Sequence, residues 1–160
     1  MRLLGLITLV HFCTISNVAS LAATDANKQA AIRQERKKYE GTWRVIFLQV
    51  DGNQASDDDA KKITVVNHAD GTWSIRVENK EIAKGTSEID PTKKPKTIDF
   101  TPAEGAEKGK SFLGIYDIKE NCRKICYSPS GKDRPTAFSS TPGSGSVLAI
   151  FQREKKADAK

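Results

Sequence analysis

From residue 42 to residue 153 the chain is interrupted by turn-forming residues about every 8–12 positions, which leaves no room for a long helix. Residues 42–50 are rich in aromatic and β-branched side chains, and Asp51-Gly52 stops them. Residues 63–68 and 72–78 flank Ala69-Asp70-Gly71, a hairpin signal. Residues 81–89 read as a strand weakened by Gly85. Residues 90–95 must be loop, because Pro91 and Pro95 remove ladder donors. Further strands are expected at 97–101, 111–118, 123–127 and 147–153, with a brief extended piece at 136–139. Between the first two strands, Ser56 is suited to cap a helical turn over Asp57-Asp58-Asp59. About eight short strands without crossover helices predict an all-β antiparallel sandwich or barrel. A barrel has the advantage of leaving no exposed edge.

Alternation within the strands nominates the interior. Trp73, Ile75 and Val77 share one face of their strand, while Ser74, Arg76 and Glu78 share the other. The same reasoning selects Trp43, Val45, Phe47, Trp73, Ile75 and Phe100 as inward-facing, ligand-contacting candidates, with Phe112 and Tyr116 beside them. In that last strand Leu113 and Ile115 compete for the inward face.

The amino-terminal residues follow a different logic. Arg2 precedes an apolar run from Leu3 to Ile15, and small residues follow in Val18-Ala19-Ser20 and Ser20-Leu21-Ala22. A basic start, a short apolar stretch and small residues at the junction predict a secretory signal over residues 1–22. The apolar run is shorter than the ~20 residues a membrane span needs, so no stable anchor is expected after cleavage. The expected location is extracytoplasmic, periplasmic or secreted. Residues 23–40 are charged and rich in helix formers, and read either as a short helix tethered by Ala31, Ile32 and Tyr39 or as a loose extension. The barrel domain is expected over 41–154, followed by a frayed basic tail at 155–160.

Three features favour the barrel over the sandwich. Gly41-Thr42-Trp43 opens the first strand, Arg153 ends the last, and antiparallel strands lie between. This resembles the lipocalin arrangement, in which a Gly-x-Trp tryptophan is covered by an arginine from the last strand. The resemblance implies barrel closure through Trp43 and Arg153, a cation–π contact worth roughly 0.5–2 kcal/mol. Longer stretches carry a closer likeness: Gly41 to Val45, Lys84-Gly85-Thr86, Ile89 to Phe100, Gly114-Ile115-Tyr116, Cys126-Tyr127, Arg134-Pro135-Thr136 with Phe138, and Arg153-Glu154. In this order they resemble an uncharacterised lipocalin-like domain family known chiefly from planctomycete bacteria. That family implies an extracytoplasmic barrel and assigns no functional residues.

Catalytic patterns are not evident. His68 is the only histidine beyond the signal segment and adjoins a turn, so no Ser-His-Asp set is suggested. The acidic run Asp57-Asp58-Asp59 lacks the alternate spacing and central glycine of a calcium loop. Cys122 and Cys126 would lie ~13 Å apart on a strand, too far for a disulfide. No second ligand pair accompanies them, so no metal and no cofactor is expected. The net charge of +6 is spread over loops and ends without an aromatic-interleaved stripe, which argues against nucleic acid. Arg134, in a loop between Asp133 and Pro135, either grips an anionic ligand or braces its loop. The expected function is a monomeric, non-enzymatic binding module for a small apolar or amphipathic ligand. The alternative is a protein-interaction or inhibitor module, with an envelope protein as partner, acting through loops 90–96, 102–110 and 129–135.

Overall fold

The computed structural model describes residues 16–155. Its strands are β1 (Gly41–Val50), β2 (Asn53–Gln54), β3 (Ile63–Asn67), β4 (Thr72–Val77), β5 (Lys80–Asp90), β6 (Lys96–Pro102), β7 (Phe112–Lys119), β8 (Cys122–Tyr127) and β9 (Val147–Arg153). Apart from β2, a two-residue hairpin extension of β1, each strand pairs antiparallel with the next, and β9 pairs back onto β1. The result is a closed eight-stranded antiparallel barrel of lipocalin-like arrangement, with no free sheet edge along its wall. Closure rests on seven paired positions between β1 and β9, from Trp43↔Arg153 to Val50↔Val147.

Among the described residues two helices accompany the barrel. α1 (Ser16–Tyr39) starts within the segment expected as a signal, most of which lies outside the described residues. Its last turn carries Arg36, Lys37 and Lys38, a charge sign that suits a helix C-terminus. Ile32, Glu35, Arg36 and Tyr39 follow an i, i+3, i+4, i+7 spacing and turn toward the barrel. Apolar residues alone do not hold the helix. Lys28 pairs with Asp90 at 2.8 Å, Glu35 with Lys96, and Arg36 donates to Ser87 Oγ at 3.0 Å. These partners lie where β5 ends and β6 begins, so α1 covers that end of the barrel. α2 (Asp57–Lys61) is the expected capped turn, with Ser56 Oγ accepting from the Asp59 amide at 3.2 Å.

Two sequence expectations need correction, and one strand was unassigned from sequence. Residues 136–139 form no strand; the long segment between β8 and β9 runs as turns and bends. It packs outside the barrel, with Phe138 under the Lys124 ammonium at 4.1 Å and the Ser139 carbonyl accepting from Cys126 Sγ at 3.3 Å. Residues 53–54, unassigned from sequence, form β2. Finally, Ile46 is an extra residue in β1, because Val45 pairs with Phe151 and Phe47 with the adjacent Ile150. A bulge of this kind reverses the alternation beyond it. Leu48 and Val50 therefore point inward, and Phe47 does not.

Candidate functional site

The interior has two parts. The end beneath α1 is filled: Trp43, Ile98 and Tyr116 are almost wholly buried, and the Tyr39 ring meets Tyr116 edge-on at 5.6 Å. Trp43 Nε1 donates to the Tyr39 carbonyl at 2.9 Å, locking helix to barrel. Tyr116 Oη donates to Glu35 at 3.4 Å. Burial, with Glu35 beside it, pushes the Tyr116 phenol well above its ordinary range.

The other part is a cavity of about 540 Å³, within the span of ~300–1,000 Å³ usual for small-molecule sites. Its walls are apolar. Trp73, Phe100, Tyr127 and Phe112 form a chain of edge-to-face rings, with successive centroids 6.3, 5.7 and 6.3 Å apart. Val45, Val65, Ile75 and Ile125 line the remainder. The Trp73 indole donates to the Thr86 carbonyl at 2.8 Å, so its polar edge is already satisfied. Gly85 makes room for this ring: a Cβ there would sit 2.6 Å from Trp73 Cζ2 and 2.3 Å from the Thr101 carbonyl oxygen. Exposed Val50 and Ile82 and the loop residues Glu104 to Glu107 mark the open end. Ile82 reaches this rim because it is the extra residue of a second bulge, between β4 and β5.

Polar groups gather at the closed end of the cavity. Arg123, only 1% exposed, lies with its guanidinium carbon 4.4 Å from the Tyr39 ring, 4.7 Å from Trp43 and 4.4 Å from Phe151. Its Nη1 donates to Asn67 Oδ1 at 2.5 Å, while its buried Nε has no acceptor among the described residues. The buried Tyr39 hydroxyl also lacks a hydrogen-bond partner among the described residues. Burial lowers the Arg123 pKa to about 10, an effect that Tyr39 opposes and Arg153 reinforces, so the group is still a cation near neutral pH. Burial raises the Tyr39 phenol, with Arg123 and Arg36 pulling the other way.

Five of the residues nominated from sequence come together in the lining: Val45, Trp73, Ile75, Phe100 and Phe112. Trp43 and Tyr116 are interior but belong to the filled end, and Phe47 is turned away by the bulge. Arg134 lies outside the cavity lining. Its Nη1 donates to Asp99 at 2.5 Å, Gly114 O at 2.6 Å and Ile98 O at 3.2 Å, while Nη2 meets the second Asp99 oxygen at 3.1 Å. It braces its loop against β6 and β7. Asn67 and Arg123 were missed, and Tyr39 was read only as a tether of the helix. The signal was present in β8, where Arg123, Ile125 and Tyr127 alternate on one face, but a lone arginine in such a row reads as outward-facing.

Other reactive side chains lie elsewhere. His68 is exposed in the β3–β4 turn, and Cys126 is buried on the outer side of β8 beneath the 128–146 segment. Cys122 is exposed, and both cysteines are free. Among the described residues no group of three or more His, Cys, Asp or Glu side chains is placed to hold a metal ion. No described helix is long and apolar enough to cross a membrane. Comparison with known proteins finds no family, no curated protein and no solved structure that matches the chain.

Proposed function

We propose that this protein is a non-enzymatic binding module that holds a small, largely apolar ligand inside its barrel. The supporting observation is the 540 Å³ cavity, which has apolar walls and one open end. Eight-stranded barrels either fill their interior with side chains or hold one small ligand. Here the filling stops at the layer of Tyr39 and Arg123. The resemblance to the planctomycete-type lipocalin-like family and the signal-like first residues favour an extracytoplasmic setting. The loop-mediated interaction reading is weaker, since Arg134 of the 129–135 loop is engaged within the fold.

Titration of the protein with Nile red tests the reading. Saturable, one-to-one binding with a blue-shifted emission is expected. Ala83→Trp, which adds bulk to the lining, should weaken that binding by about tenfold or more while the far-ultraviolet spectrum stays unchanged. Emission that rises without saturation, or is indifferent to Ala83→Trp, would remove the ligand-carrier function.

A further inference from the structure

We propose that the cavity takes a single-chain amphiphile with a carboxylate headgroup, seated head-inward against Arg123 with the Tyr39 hydroxyl beside it. This rests on the reading of the cavity as a ligand site and adds the chemical class of the ligand.

The argument begins with the donors of Arg123. A guanidinium carries five N–H donors and no acceptor. Among the described residues one side-chain acceptor is supplied, Asn67 Oδ1 at 2.5 Å, and Nε is left without any. The three surrounding rings attract the cation but offer no oxygen. Among the described residues no carboxylate forms an ion pair with Arg123; the buried carboxylate of the helix, Glu35, is held by Lys96 and Lys38. Buried arginines are normally paired, so a cation facing a cavity without an anion is a site short of one component. A planar carboxylate matches the guanidinium fork, and a second acceptor position beside it would serve the unpartnered Tyr39 hydroxyl. A doubly charged phosphate monoester fits less well, because one buried cation would leave it with uncompensated charge.

The rest of the cavity suits the tail. The walls between Arg123 and the mouth are aliphatic and aromatic, and the rim carries exposed Val50 and Ile82. Two carboxylates at the mouth do not stand as bare charges against an anion: Glu104 pairs with Lys84 at 3.4 Å and Glu107 with Lys110 at 3.0 Å.

The test compares laurate with lauryl alcohol, both below their aggregation limits, by displacement of Nile red from delipidated full-length protein. Laurate is expected to bind at least about tenfold more tightly, and the preference should survive high salt because the anchoring charge is buried. Tyr39→Phe should weaken laurate several-fold and leave the alcohol unchanged; Arg123→Met, if it folds, should abolish the preference. Equal or tighter binding of the alcohol overturns the headgroup assignment while leaving the cavity function intact. A laurate preference that vanishes in salt assigns it to surface lysines and also overturns the proposal. Failure of both ligands and of Nile red itself overturns the cavity function on which it rests.

Discussion

Trp43 and Arg153 are paired across the β1–β9 seam, with the guanidinium carbon 4.1 Å from the centroid of the Trp43 ring. Arg153 also donates to the Glu40 carbonyl at 2.6 Å and to that of Lys38, satisfying carbonyls at the end of α1 and just beyond it. One side chain thus joins the last strand, the first strand and the helix that covers the barrel end.

Arg153→Ala removes all of these contacts at once. A stability loss of about 1–3 kcal/mol is expected, from the cation–π contact and two hydrogen bonds to carbonyls. Urea unfolding followed by tryptophan fluorescence measures it. An unchanged midpoint would mean that backbone pairing alone holds the seam.

Gly85→Ala tests the close approach between β5 and Trp73. The added methyl would lie 2.3 Å from the Thr101 carbonyl oxygen, which belongs to backbone and cannot swing aside. Destabilisation of roughly 1–3 kcal/mol is expected, read as a lowered thermal midpoint. Trp73 near-ultraviolet ellipticity should change with it, since the ring must tilt.

Asp90 gives the fold a defined acid sensitivity. Partial burial works against its charge, but hydrogen bonding and charge attraction from Lys28 and the hydroxyl and amide of Thr92 outweigh this and hold its pKa at about 2. The unfolded value is about 3.9, so the group stabilises the fold above that pH, and the contribution disappears as pH falls through about 2. The contribution is roughly 2 kcal/mol. Asp90→Asn should lose about this much near neutrality, and the two stability curves should converge toward about pH 2. Curves that stay parallel would refute the Lys28–Asp90 clamp.

The two cysteines of the barrel should differ sharply in reactivity. Cys122 is exposed at the start of β8, whereas Cys126 is fully buried and burial raises its thiol pKa. Iodoacetamide should modify Cys122 in the native protein and reach Cys126 only after unfolding, as peptide mass mapping would show. Equal labelling would mean that the 128–146 segment does not cover β8.

The all-β class and the principal hairpins were legible in the sequence, because each depends on local signals, whereas the meeting of the chain ends was expected only from the resemblance carried by Gly41-Thr42-Trp43 and Arg153. Asp70-Gly71 turns the chain between β3 and β4, Pro91 and Pro95 break it after β5, and alternation marks the buried face of β4. The inward faces of β4 and β6 were equally readable, which is why Trp73, Ile75 and Phe100 meet in the cavity as expected; in β7, where Leu113 and Ile115 competed for the inward face, pairing with β6 decided for Phe112.

What the sequence could not determine depends on partners far along the chain. The Ile46 bulge exists only because β9 pairs with β1 in a shifted register, and it exchanges Phe47 for Leu48 on the inner face. The burial of Arg123 likewise needs Tyr39 from the helix, Trp43 from β1 and Phe151 from β9 to arrive together around its guanidinium. Alternation tells which side of a strand a residue occupies, but not whether a charge there will be desolvated. That was decided by closure of the barrel and by the helix beneath it, which together bury one cation at the base of an apolar cavity.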